Sequence, residues 1–301
     1  MTKKNKFKLY AGDGGGCFGA IPAYLNMSYD RISEFDGFIG TSIHAAICGA
    51  YAMGVPCDEV DRFMGIDMKK VFSRPWYYSM RWHGPKWPDK ELNEAIQRLV
   101  GKDTRLGDVK KPLFITAMNF KHDIPKVFGS MNEDDKDLLL WEVIRCSVAA
   151  NTYFPTWNPY HDDRKDFFTD GGTWANTPSM AGLCALVDKM GIPVSRATIF
   201  SVGCGMKPDP DRKQKDVDGW NTLQMAVPTI DSMFDGGNER AMTYMADALI
   251  NKRLVRFNKV TLKKKWGMDD PSLINKELIP LAETVIEDYK KSLGGFLDVN
   301  A

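Results

Sequence analysis

Apolar positions fall along this chain in two alternating rhythms. Short, nearly continuous runs, such as Phe7-Lys8-Leu9-Tyr10-Ala11 and Phe38-Ile39, are bounded by glycines and polar turns. Runs of that kind predict strands over residues 7–11, 36–40, 112–118, 125–128, 166–169 and 197–202. Between them apolar residues recur every three or four places, which predicts helices. Directly after Ser42 the recurring residues are Ala45, Ala46, Gly49, Ala50 and Met53, and their small side chains let a helix lie close on a sheet. Residues 90–100 carry a stripe of Leu92, Ala95, Ile96 and Leu99 that stops at Gly101. Further helices are predicted over 136–149 and 178–190, the second opened by Thr177-Pro178 and closed at Gly191. The alternation predicts an α/β fold with a mostly parallel central sheet and helices on both faces.

The rhythm changes after residue 206. Residues 206–220 are rich in Pro, Asp and Lys and read as a loop. Residues 221–258 and 274–293 have helical patterns and no strand signal. The expectation for 207–301 is therefore a helical C-terminal extension packed on the same core.

Composition narrows the class of protein. With 301 residues, 44% of them hydrophobic and 26% charged, the chain suits one large soluble domain or two modest ones. A net charge of +1 gives no pull toward nucleic acid. The cysteines, Cys17, Cys48, Cys57, Cys146, Cys184 and Cys204, are scattered with no CxxC, which suits reduced intracellular thiols. The basic start is followed by too short an apolar run for a signal peptide, and no stretch approaches the roughly 18–20 residues of a membrane-spanning helix. The expected location is cytoplasmic, at most peripheral to a membrane. The four histidines have no HExxH or finger-like spacing, so neither a metal nor another cofactor is expected.

The candidate chemistry lies in turns. Asp13-Gly14-Gly15-Gly16-Cys17-Phe18-Gly19 follows the first strand, and Gly40-Thr41-Ser42-Ile43-His44 follows the second. The first is rich in bare backbone N–H groups. Taken alone it is open between an oxyanion hole, a phosphate cradle and a plain glycine turn. A dinucleotide site also wants an acidic residue at the end of the second strand, and Asp36 precedes that strand. Ser42 sits on a sharp strand-to-helix turn, which lifts a nucleophile out of a sheet near the positive end of the new helix. His44 lies about 200° around the helix from Ser42, poorly placed as its base, and reads as a packing residue. A base must come from elsewhere. Asp170, in Thr169-Asp170-Gly171-Gly172, ends a predicted strand before two glycines; a carboxylate bonded directly to a serine can act as general base.

Together these residues resemble the patatin-like phospholipase family. The first turn is similar to that family's DGGGxRG oxyanion loop, the second to its GTSxG nucleophile elbow, and Asp170-Gly171-Gly172 to its DGG/DGA aspartate loop. Residues 144–155 are similar to its ASxAxPxYFP segment, residues 169–178 to DGGxxxNxP, and residues 199–205 stand where it has SLGTG. The resemblance spans about residues 7–206. It implies a three-layer patatin-like catalytic core over 1–206 and a lipid acyl hydrolase of the phospholipase A type. It further implies Ser42 and Asp170 as the catalytic dyad, with Gly14, Gly15 and Gly16 as the oxyanion hole. Gly19, Gly40, Gly171 and Gly172 are the motif glycines, and a phospholipid or other acyl-ester lipid is the partner. Two positions depart from the pattern: Phe18 replaces the loop arginine, and His44 replaces the last glycine of the elbow. These departures motivate an alternative, a weak or inactive member that binds lipid or a protein partner.

Residues 72–88 interleave Trp76, Tyr77, Tyr78, Trp82 and Trp87 with Arg74, Arg81 and Lys86. Two readings stay open there: a loop packed over the site, or peripheral membrane contact through Trp76, Tyr77, Trp82 and Trp87. Oligomeric state is not legible in the chain.

Overall fold

The computed structural model describes residues 6–73, 84–161, 166–208, 211–221, 224–225, 238–264 and 266–299. The elements that position the site are β1 (Phe7–Gly12), α1 (Ala20–Ser28), β2 (Gly37–Gly40), α2 (Ile43–Met53), α3 (Cys57–Arg62), α4 (Lys90–Val100), β3 (Leu113–Asn119), β4 (Ile124–Gly129), α5 (Leu140–Ser147), β5 (Phe168–Asp170), α6 (Ser179–Met190), β6 (Ala197–Val202), α7 (Asn238–Leu249), β7 (Leu254–Phe257) and α8 (Ile286–Val299).

The strands form one sheet in the order β4-β3-β2-β1-β6-β7, with β5 pairing β3 off that path. The pairs β1–β2, β1–β6, β2–β3 and β6–β7 are parallel; β4 and β5 run antiparallel to β3. Alternation along β1 sorts the two faces. Leu9 and Ala11 point with Ile39 and Ile199 toward Leu183 and Leu186 of α6. Tyr10 and Phe38 point the other way, into the larger core that includes Ile47 of α2 and Ile144 of α5. Helices therefore cover both faces, as parallel strands with apolar residues on each side require.

Two glycines permit close approach. A methyl group at Gly182 would meet Leu9 and Ile39 of the sheet within 3 Å, and one at Gly49 would meet Ile144 at 2.9 Å. The small-residue pattern after Ser42 thus corresponds to a helix pressed between sheet and neighbour.

The C-terminal expectation needs one correction. The stretch 221–258 is not helical throughout: within it, α7 is followed by a strand, β7, parallel to β6 at the sheet edge. Leu254-Val255-Arg256-Phe257 is too short a run to stand out beside a helix, and its ladder with β6 decides its conformation. The helical pattern near the end is α8 and the turns preceding it. Thr177 also departs from expectation: its hydroxyl does not cap α6 but donates to Asp13 Oδ2 at 2.9 Å.

Helix α8 is tied to the core by aromatic rings and by one buried amide. Phe296 stacks on Phe35 at 5.9 Å, and Tyr289 meets Phe257 edge-on at 5.0 Å. Asn26 on α1 donates from Nδ2 to the hydroxyls of Tyr10 (3.0 Å) and Tyr51 (3.1 Å), and its Oδ1 accepts from Tyr289. All four residues are buried. Asn26→Ala leaves three buried hydroxyls short of a partner and is expected to cost about 2–4 kcal/mol, against about 1 kcal/mol for Tyr289→Phe. Urea unfolding of both variants tests this; an Asn26→Ala protein as stable as wild type would show that the amide stabilises nothing.

Candidate active site

The parallel strands β1, β2 and β6 end level with one another: Gly12 pairs with Gly40 and with Val202. The chain leaves β1 toward β2 on one side, and β6 lies on the other. This is the reversal of strand order at which α/β sheets open a crevice beyond their carboxyl ends. Both sequence-predicted turns sit there.

Ser42 is the first of them. It caps α2 with φ 55° and ψ −125°, a conformation that L residues adopt at a cost of order 1–3 kcal/mol. Gly40 makes the turn sterically feasible, since a Cβ there would lie 2.1 Å from the His44 carbonyl oxygen. Hydrogen bonds hold the elbow on both sides of the serine Cα. The Ser42 amide donates to Ser147 Oγ at 2.9 Å, and the Thr41 hydroxyl lies 2.6 Å from both Thr116 Oγ1 and the Ala175 carbonyl.

Asp170 arrives from the opposite direction. β3 pairs with β2 along its first half, where Gly40 faces Ile115, and with β5 along its second, where Asp170 faces Ala117. β2 and β5 thus approach end to end along one edge of β3, and Ser42 lies two residues beyond Gly40. The Ser42 hydroxyl donates to Asp170 Oδ2 at 2.6 Å. The other carboxylate oxygen accepts the Gly172 amide at 2.7 Å. Gly171 lets the loop touch β3, because a Cβ there would meet Thr116 at 2.3 Å. Burial pushes the Asp170 carboxyl up from its ordinary 3.8 to about 6, against the pull of the Ser42 and Gly172 hydrogen bonds.

The glycine turn flanks this pair; a Cβ on Gly14 would lie 3.2 Å from Ser42 Cβ. Its amides are not equivalent. Gly14 N–H donates to the Asn176 carbonyl at 3.0 Å and Cys17 N–H to the Met268 carbonyl at 2.8 Å. Among the described residues the amides of Gly15 and Gly16 have no such partner, and both residues line the cavity described below. Gly16 has φ 55°, and a side chain on it would meet Met268.

Beside the turn lies a largely buried polar cluster. Arg256 of β7 grips both carboxylate oxygens of Asp13, reaching Oδ1 at 2.8 Å, and also bonds Glu239 Oε1 at 2.6 Å. Burial raises Asp13 to about 6 even against the Arg256 charge. His44 is wholly buried, its ring lies over Gly12, and its Nδ1 bonds the Asp13 carbonyl.

Ser42 and Asp170 line a cavity of about 1080 Å³. Its lining includes the apolar side chains of Met68, Val71, Phe72, Leu92, Val148 and Phe154 and the polar ones of Lys207, Arg212, Arg240 and Asn258. Among the described residues no group of three His, Cys, Asp or Glu side chains converges as metal ligands would, and no helix is long and apolar enough to cross a membrane.

Several groups around Ser42 and Asp170 escaped the sequence. Ser147 and Asn176 lie inside stretches similar to family segments, yet their roles depend on contacts more than a hundred residues away. Arg256 carried no signal, since its strand read as helix. Of the aromatic stretch, Trp76, Tyr77, Tyr78 and Trp82 lie outside the described residues. Trp87 is corrected: it is buried, with Nε1 donating to Asp269 Oδ2 at 2.9 Å, and so does not face a membrane.

Residues 12–182 match the family model described as patatin-like phospholipase. A protein of Vibrio cholerae serotype O1 named "cGAMP-activated phospholipase" is 25% identical over 225 residues, covering 66% of this chain and 63% of that protein. "Patatin-like protein 2" of Oryza sativa subsp. indica is 27% identical over 263 residues, covering 71% and 65%. The chain thus spans a little under two thirds of the length of these relatives. Among solved structures, VipD from Legionella pneumophila superposes with a TM-score of 0.48 at 10% identity, over 95% of this chain and 67% of that one. The matched segment runs from the end of β1 through Ser42 and Asp170 into α6, more than half of the chain, and by that match the protein belongs to the patatin-like phospholipase family.

Proposed function

We propose that this protein is a lipid acyl hydrolase of the phospholipase A type, working through a Ser42–Asp170 dyad. The observation that carries the reading is the 2.6 Å hydrogen bond from a strained, half-buried serine to a buried carboxylate, set beside glycine amides with no partner among the described residues at a cavity partly lined by apolar side chains.

In the proposed reaction Asp170 takes the Ser42 proton as Oγ attacks the ester carbonyl carbon. The negative charge that forms on the carbonyl oxygen is met by the amides of Gly15 and Gly16. Collapse breaks the ester bond, and the leaving alcohol departs with the proton held by Asp170. Water then attacks the acyl-serine, giving its proton to Asp170, and the fatty acid leaves as Ser42 regains a proton. The apolar lining residues, among them the neighbouring rings of Phe72 and Phe154, suit an acyl chain. A base near pKa 6 is ionised at neutral pH yet basic enough to accept a proton in the transition state.

Two measurements test this. Ser42→Ala is expected to lower turnover of p-nitrophenyl esters and of phospholipid vesicles by about 10³-fold or more in a folded protein. Equal rates for the two proteins would end the proposal. For Asp170, activity and stability are expected to move in opposite directions. Its folded pKa lies above the unfolded value, so its ionisation opposes folding. The penalty is absent below about pH 4 and fully developed above about pH 6, where it amounts to about 3 kcal/mol. Asp170→Asn should be inactive but melt higher than wild type at pH 7.5, with the gap closing by pH 4. In the wild type, kcat/KM should fall as pH drops through about 6. A gap in melting temperature that ignores pH would show that the carboxylate carries no such penalty.

A further inference from the structure

His44 occupies the place where the family's elbow motif has glycine, and its surroundings show what it replaces. The ring edge lies on Gly12, where a Cβ would come within 2.4 Å of Cδ2 and Cγ. Nδ1 faces the Asp13 carbonyl. A carbonyl only accepts, so the proton of the neutral ring is on Nδ1, and Nε2 is left bare; it is buried with no partner among the described residues. Burial holds the ring neutral, with its pKa lowered to about 4. The Cys204 thiol approaches the same carbonyl at 3.4 Å.

The carbonyl of Asp13 and the amide of Gly14 belong to one rigid peptide plane. His44 holds its oxygen and Asn176 holds its N–H. The Asp13 side chain is separately fixed by Arg256 and Thr177. The peptide before Gly14 is therefore held at both its oxygen and its N–H, and the next two amides have no partner among the described residues.

We propose that His44 is a positioning residue: its Nδ1–H holds the Asp13–Gly14 peptide and so aims the Gly15 and Gly16 amides at the oxyanion formed on the Ser42 adduct. The role rests on the hydrolase reading above, but it makes a claim about the loop that does not need turnover. His44 touches no reacting atom. It acts on transition-state charge, so its loss should lower kcat rather than raise KM.

The test compares wild type, His44→Phe, which keeps a ring without the donor, and His44→Asn, whose Nδ2 can stand where Nδ1 stood. Each is measured on a soluble p-nitrophenyl ester and by hydrogen exchange of the segment spanning residues 11–18. His44→Phe is expected to lose about 10- to 10²-fold in kcat with KM within about twofold, and to exchange faster in that segment. His44→Asn is expected to recover both to within about threefold. Should His44→Phe not fold, as judged by its melting curve, His44→Leu takes its place. Wild-type kcat and exchange in the donorless variant would overturn the proposal. So would equal losses in both variants, which would mean that the ring matters only as filling. If the wild type hydrolyses no acyl ester, the functional reading falls, and the exchange difference alone decides whether the latch exists.

Discussion

The site depends on one ladder constraint: β3 hydrogen-bonds along the same edge to two strands that meet head-on. β2 runs parallel to it as far as Ile115, and β5 runs antiparallel from Asn119 back to Ala117. Backbone pairing of this kind leaves no freedom in register, because a one-residue slip would turn every side chain to the other face. Asp170 and Ser42, 128 residues apart in sequence, are brought to 2.6 Å by it. The glycines at 40 and 171 are the steric condition for the junction, since side chains at either would collide with backbone at under 3 Å.

Two buried carboxylates lie beside this junction in contrasting surroundings. Asp13 is matched by a guanidinium and a hydroxyl, and it serves as an anchor for the glycine turn. Asp170 has no cation among its described partners; it holds only the Ser42 hydroxyl and the Gly172 amide. Both are raised by burial to about 6, and both accept from a hydroxyl, but only Asp13 also faces a guanidinium. The two carboxylates thus differ in charge compensation, and a buried carboxylate without a cationic partner is the kind of group found at functional sites. Strain at Ser42 and desolvation at Asp170 both oppose folding. The aromatic packing of Tyr10, Phe35, Phe200, Tyr289 and Phe296, which ties α8 onto the sheet, works in the other direction.

Much of this was legible because local chemistry dictates it. The apolar runs of β1, β2 and β6 read as buried strands. The small residues of α2 announced close packing, and the glycines at 14–16 and 40 marked tight turns. The illegible parts are those decided by long-range partners. β7 has a pattern too short to separate from helix, and only its pairing with β6 makes it a strand. Arg256 on it consequently went unseen as the partner of Asp13. Trp87 looked suited to a membrane interface, yet Asp269, 182 residues on, takes its indole N–H into the protein. Thr177 looked like a helix cap and is a ligand of Asp13 instead.

The sequence by itself determined the α/β class, the strand-to-helix turns and the residue types that could do acyl chemistry, since periodicity, glycine and a carboxylate are local properties. Tertiary structure alone decided which of the three glycine amides is engaged: Gly14 bonds Asn176 from another loop, while Gly15 and Gly16 have no partner among the described residues. It also decided what His44 does. In the sequence this histidine was a departure from a motif; in the fold its one ring proton has a single carbonyl to bond, and that carbonyl belongs to the loop beside the serine. A hydrogen bond needs a partner in space, and the partner's place is set by the ladder, not by the neighbouring residues.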